Sequence, residues 1–232
     1  MTEKIISSAY GSIAHLPGSR MGIGDKRLHD GQVKILTIKK RDRHDRIIVQ
    51  EKLDGSCVAV LRKDGIIISI SRAGYPLAES SYEQHRAFYR WVEKNKSRFE
   101  FLQEGERLVG EWMVMAHGIK YNIPHEPFVV FDLITGTKRM LFDEFILKTK
   151  DFIKPRLIHD GDSFSLENLM PHLEKSFHGG EYPEGAVYRV ERKGSVDFLG
   201  KWVRLEHVCG KYFIEGSTIW NEFPNKEEII GV

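Results

Sequence analysis

The chain has 232 residues, 35 lysines and arginines against 33 aspartates and glutamates, and a formal net charge of +2. That length suits one large domain or two small ones, and with 41% hydrophobic residues and no strongly biased tract, a buried core is expected and a disordered tail is not. Charge this close to balance does not by itself announce a nucleic-acid binder. Cys57 and Cys209 stand far apart outside any metal-ligand spacing, and no secretory leader or bilayer-length apolar run is seen, so a cytoplasmic chain with reduced thiols and no membrane contact is expected.

Residues 1–31 mix turns and short segments, with Pro17, Gly18, Gly22 and Gly24 as breakers. Val33–Ile38 and Ile47–Glu51 are rich in β-branched residues and predict two strands around a charged loop. Lys39, Lys40, Arg41, Arg43 and Arg46 crowd that loop. Because Asp42 and Asp45 interrupt them, a solvated turn is a better reading than a track for a phosphate backbone. Cys57–Leu61 and Ile66–Ile70 flank Asp64-Gly65, which predicts a tight hairpin. Ser80 and Glu83 have the spacing of a capping box, and Tyr82, Tyr89 and Val92 continue at helical spacing. Leu108–Met115 and Phe128–Leu133 return to strand character. Asp143–Lys150 predicts a short helix. Ser165–Phe177 predicts another, kinked or started late by Pro171 and stopped at Gly179-Gly180. Ala186–Val190 and Phe198–Val203 are the last predicted strands. Strands dominate, so the expected class is α+β with largely antiparallel sheets.

The informative segment is Glu51-Lys52-Leu53-Asp54-Gly55-Ser56, a Lys-x-Asp-Gly sequence between two predicted strands. Alone it is weak, since average residue usage produces such a match in about one chain in twenty of this size. Five further segments follow in order: Ser71-Arg72-Ala73-Gly74, Val109-Gly110-Glu111-Trp112, Phe128-Val129-Val130-Phe131-Asp132-Leu133, Glu184-Gly185-Ala186-Val187 and Leu199-Gly200-Lys201-Trp202-Val203-Arg204. Together the six resemble motifs I, Ia, III, IIIa, IV and V of the covalent nucleotidyltransferases, which include polynucleotide ligases and mRNA capping enzymes. The run Gly110-Glu111-Trp112, His117, Tyr121, Pro124 and Phe131-Asp132 resembles the ATP-dependent RNA ligases most.

The resemblance implies a ligase-type nucleotidyltransferase (adenylation) domain spanning residues 1–232, with two largely antiparallel β-sheets flanked by helices. Only 205–232 follow the last motif, too few for a C-terminal OB-fold. It also implies ATP as AMP donor and Mg²⁺ or Mn²⁺ as metal. Lys52 would be the nucleophile that takes AMP. Asp54 and Glu184 would hold the metal's water shell, and Glu111 would bond the ribose hydroxyls or assist with the metal. Lys201 would meet the α-phosphate, Phe131 would stack on adenine, and Arg72 would contact the nucleotide or the RNA end. Glu51 would help recognise adenine, often through its backbone in this family. His117 and Tyr121 would line an RNA groove.

Physical chemistry adds three expectations. A lysine attacks only as the free amine. An ordinary lysine titrates near ~10.4, and burial or nearby positive charge lowers that value. Many members of the family carry a second motif V lysine where this chain has Val203. Strand alternation sends Lys201 and Val203 to one face and Arg204 to the other. Phe131 and Asp132 likewise alternate, so both enter one pocket only if a bulge or strand end intervenes. The implied partner is RNA with 5′-phosphate and 3′-hydroxyl ends, a nicked duplex among the candidates, with a partner protein as a possible source of RNA grip. The alternatives are a minimal DNA ligase, a GTP-using capping enzyme, and a non-catalytic module that binds nucleic-acid ends.

Overall fold

Burial along the chain alternates with strand period and divides the strands into two sheets. The chain was built as a computed structural model, which describes residues 3–213 and 217–231. Among the described residues the strands are β1 (Ala14–His15), β2 (Asp45–Lys52), β3 (Ser56–Lys63), β4 (Ile66–Ser71), β5 (Glu106–Trp112), β6 (Phe128–Thr135), β7 (Lys138–Arg139), β8 (Leu157–Gly161), β9 (Gly185–Arg192) and β10 (Ser195–Val203). The helices are α1 (Asp30–Thr37), α2 (Glu83–Lys94), α3 (Phe142–Lys148), α4 (Leu166–Leu169) and α5 (Lys226–Ile230). None is long and apolar enough to cross a membrane.

The first sheet has the order β1-β10-β9-β2-β8 and the second β4-β3-β5-β6-β7. Every pairing is antiparallel except β1 with β10. The expected α+β class with two largely antiparallel sheets is therefore what forms. β2 belongs to the first sheet and β3 to the second, so the three residues Leu53-Asp54-Gly55 carry the chain from one sheet to the other. The outer face of the second sheet buries Val58, Val60, Trp112 and Phe128 against Phe88 and Trp91 of α2. The outer face of the first buries Ile47, Val49 and Tyr188 against Leu36 of α1 and Leu169 of α4. Side chains buried to this degree stabilise by roughly 1.5–3 kcal/mol each. The inner faces look toward one another. The N-terminal segment covers part of the second one, where Ala9 N bonds to Arg72 O at 2.9 Å and Ile5 N to Gly74 O at 2.9 Å.

The hairpin forms as expected, with Asp64 at φ 52° and Gly65 at φ 74° in its turn. Three local readings change. Val33–Ile38 is helix, not strand: His29 accepts from Gly31 N and Gln32 N, and Val33 and Leu36 pack on the first sheet at helical spacing. Packing thus overrides the β-branched composition. The capping box does not form. Tyr82 is the N-cap without a side-chain bond, Ser80 Oγ accepts from Tyr82 N at 3.3 Å, and Glu83 turns to Arg86 and Arg90. The Ser165–Phe177 helix breaks into α4, which Ser165 caps, and a 3₁₀ turn over Met170–Leu173 that contains Pro171. In the basic loop, Lys40 pairs with Asp162, Arg41 with Asp45 and Asp197, and Arg46 with Asp143 and Asp160. Those three cations are already neutralised within the fold, which favours the turn reading.

A buried charge chain ties the two sheets together. Asp132 of β6 pairs with Arg139 of β7 and, at 3.3 Å, with Arg189 of β9. Arg189 Nε also bonds Glu191 at 2.9 Å, and Glu191 accepts from Phe142 N at 2.6 Å. Asp132 is 1% exposed, so removing its charge leaves Arg139 without its carboxylate and Arg189 with Glu191 alone in a poorly solvated site. Asp132→Asn is expected to cost about 3–5 kcal/mol in urea unfolding. A loss below about 1 kcal/mol would show that the sheets hold together without this clamp.

Candidate active site

The cleft between the inner faces has a volume of about 1020 Å³. Ligand pockets typically span roughly 300–1,000 Å³. The crossing segment forms its floor. Lys52 ends β2 opposite Gly185, the first residue of β9, which brings Glu184 beside it. Lys52 Nζ lies 2.5 Å from Glu184 Oε2 and donates to Leu53 O at 3.2 Å. Glu111 enters from β5 in the second sheet, and its Oε1 accepts from Gly55 N at 3.0 Å. Asp54 Oδ2 accepts from Gly118 N at 2.6 Å and Ile119 N at 2.9 Å, and Tyr121 Oη accepts from Asp54 N at 3.3 Å.

The loop that supplies those two N–H groups is itself tied to the C-terminal segment. Ala116 N bonds Ile219 O at 2.8 Å, and Ile123 N bonds Glu222 O at 2.7 Å. The fully buried Asn221 accepts from Tyr121 N at 2.8 Å and donates to Met113 O at 2.7 Å.

Lys201 on β10 pairs with Val187 and with His15, and it lines the cleft together with Val203. Arg204 does not line it; its guanidinium lies 4.6 Å from the Tyr182 ring. The alternation expected for motif V is therefore what the strand adopts. On β6, Val109 pairs with Asp132 and Gly110 with Val130, which leaves Phe131 as the extra residue of a bulge. The bulge lets Phe131 and Asp132 both border the cleft. Phe131 meets the Tyr10 ring edge-on at 5.1 Å. Arg72, just past β4, also lines the cleft and donates to Ser12 Oγ at 3.1 Å.

Glu51 borders the cleft, but its carboxylate is committed elsewhere: it accepts from Ser176 Oγ at 2.5 Å and Phe177 N at 3.1 Å. His117 lines the cleft with its ring nitrogen 3.4 Å from Ser56 Oγ, whereas Tyr121 is buried and supports Asp54.

Electrostatics correct one expectation. Burial alone would lower the Lys52 amine, but Glu184 and Glu111 reverse this and hold its pKa above the ordinary lysine range. In this geometry the ammonium form is favoured, not the free amine. Burial pushes Glu111 up to about 8, with Glu184 and Asp54 adding to the rise against the pull of Lys52. Burial and the Lys52 charge lower Lys201, and burial lowers His117 to about 4.

Four residues at the site carried no sequence signal. His15 reaches Lys201 only through the β1–β10 pairing and contacts Asp25 at 3.1 Å. Arg20 and Asp25 border the same end of the cleft. His207 lies beyond β10, and its donor atoms together with those of Asp54 and Glu184 fall within 4.8 Å of one another. A lone histidine in a loop has no spacing to read. The oxygen-rich donor set of Asp54 and Glu184 fits a hard divalent cation. The Lys52 amine, the Asp54, Glu111 and Glu184 carboxylates, the Lys201 and Arg72 cations and the half-buried Phe131 ring suit a flat, polyanionic, metal-bearing ligand.

The RNA ligase family model matches residues 45–203, more than half of the chain. No curated protein matches the chain significantly. Among solved structures, an apo mutant of a Naegleria gruberi RNA ligase is similar with a TM-score of 0.54 and 18% identity, covering 88% of this chain and 59% of that one. A mutant of the same enzyme with ATP and Mn gives 0.52 and 17%, covering 88% and 61%. A complex with PPi gives 0.54 and 19%, covering 87% and 61%. At such identities the likeness is one of fold, and the chain spans about three-fifths of the length of these structures. The match over residues 45–203 places the chain in the RNA ligase family.

Proposed function

We propose that residues 1–232 act as one adenylation domain of an ATP-dependent RNA ligase, with Lys52 as the residue that carries AMP. The carrying observation is the Lys52 amine 2.5 Å from Glu184 in a cavity shared with Asp54, Glu111, Lys201 and Phe131. Lys52 first gives up its ammonium proton to solvent water. Its lone pair then forms an N–P bond to the α-phosphate as the bond to the β-phosphate oxygen breaks and pyrophosphate leaves. An oxygen of an RNA 5′-phosphate next displaces the lysine and forms a 5′–5′ pyrophosphate. A 3′-hydroxyl finally attacks the 5′-phosphorus, and AMP departs. RNA repair in the cytoplasm, on ends such as those of a nicked duplex and with a partner protein to help grip the RNA, is the role this chemistry suits.

Each wall residue has a task. Lys201, fixed on β10, would stabilise negative charge developing on the α-phosphate. Phe131 would stack on adenine from the bulge, Glu111 would meet the ribose, and Arg72 would meet the nucleotide or the RNA end. Glu51 would present its backbone to adenine while its carboxylate anchors the neighbouring loop. Asp54 and Glu184 would hold a Mg²⁺ or Mn²⁺ ion or its waters, which supplies positive charge against the triphosphate. Positive charge brought to those carboxylates weakens the pull that keeps Lys52 protonated.

Incubation with α-labelled ATP and a divalent metal is expected to label the protein through an acid-labile bond. Label should be absent with GTP and absent in Lys52→Ala. Labelling from GTP would point to capping chemistry, and no labelling under any metal would point to a module that only binds ends. Lys201→Ala should slow labelling by about 10²–10³-fold.

Glu111 supplies a separate prediction. Its folded pKa is raised from 4.5 to about 8, so its neutral form favours the fold. That contribution is complete below about pH 4.5 and is lost as pH rises through about 8. Glu111→Gln, neutral at every pH, should keep its stability across this window while the native chain declines relative to it. Parallel urea midpoints for the two proteins would refute the assigned shift.

A further inference from the structure

His207 sits in the wall of the cleft with no task in the scheme above. It is 3% exposed. Its Nε2 is 3.8 Å from Asp54 Oδ1, too far for a hydrogen bond. Nδ1 is buried without a partner. Asp54 already receives two N–H groups on its other oxygen, and Glu184 meets Lys52 through Oε2 only.

Gly118 sets both sides of this arrangement. Its N–H holds Asp54, and a Cβ in its place would lie 2.4 Å from His207 Cε1 and 2.5 Å from Val208 O. The ring therefore packs on bare backbone beside the carboxylate. Donor atoms of Asp54, Glu184 and His207 all fall within 4.8 Å of one another, and all three residues are buried. An octahedral ion with ligands at roughly 2.0–2.3 Å sets them roughly 3–4.5 Å apart, so small side-chain adjustments close the site.

We propose that His207 is a direct ligand of the divalent cation, completing a carboxylate–carboxylate–imidazole set with Asp54 and Glu184. Mg²⁺ favours oxygen and water ligands, whereas an imidazole nitrogen shifts preference toward transition cations. The pocket should then hold Mn²⁺ in preference to Mg²⁺. This assignment rests on the adenylation reading of the same cleft, but its test needs no nucleotide.

The test is Mn²⁺ binding to the full chain, followed by electron paramagnetic resonance. Isotope-labelled nitrogen placed in histidine alone should change the nitrogen modulation of the bound-Mn²⁺ spin echo. His207→Gln should abolish that modulation, weaken Mn²⁺ at least about tenfold and narrow its advantage over Mg²⁺. The labelling arm uses the native sequence and so does not depend on how a variant folds. Absence of Mn²⁺ binding, or an echo insensitive to histidine labelling, would overturn the assignment. A chain that takes AMP from ATP yet shows no histidine nitrogen on Mn²⁺ keeps the ligase reading and loses this one. Histidine-bound Mn²⁺ in a chain that never takes AMP does the reverse.

Discussion

The contact between the Lys52 ammonium and Glu184 governs the rest of the site. Three carboxylates converge on a poorly solvated crossing, and without a cation among them each would face like-charge repulsion as well as desolvation. Lys52 supplies that cation. The same residue is the nucleophile of the proposed reaction, so structural and chemical roles compete for one amine. A ligand that brings its own positive charge to the carboxylates frees the lysine for chemistry.

This competition is possible because the site sits where the chain changes sheets. Leu53-Asp54-Gly55 spans the gap, so residues from both sheets line one cleft with Lys52. Glu184 and Lys201 come from the first sheet and Glu111 and Phe131 from the second. Strand ends are where backbone groups are left free to bond side chains, as Gly55 N does with Glu111. The Asp132–Arg189 pair then fixes the distance between the walls.

Seven of the ten described strands were legible because period-two burial is a local signal, whereas β1, β7 and β8 are short or half-exposed segments that gain strand form only by pairing with another strand. Val33–Ile38 was not legible, because its β-branched residues favour a strand while the helical face presented by Val33 and Leu36 depends on a sheet formed by distant segments. The Ser80–Glu83 spacing was misleading for a similar reason: His85 and two arginines compete for the capping groups. Alternation correctly separated Lys201 from Arg204. It also required a break at Phe131–Asp132, and the extra residue in β6 supplies one. His15, Arg20, Asp25 and His207 stayed silent because only tertiary pairing brings them to the cleft.

The buried Asn221 has a consequence for how the protein is made. It and its neighbours clamp the loop whose N–H groups hold Asp54, although Asp54 is synthesised 167 residues before Asn221. During translation both sheets can pair once β10 has left the ribosome, but the carboxylate cradle stays unbraced until the segment around residue 221 emerges. A nascent chain can therefore hold a nearly complete fold before the floor of its cleft is fixed.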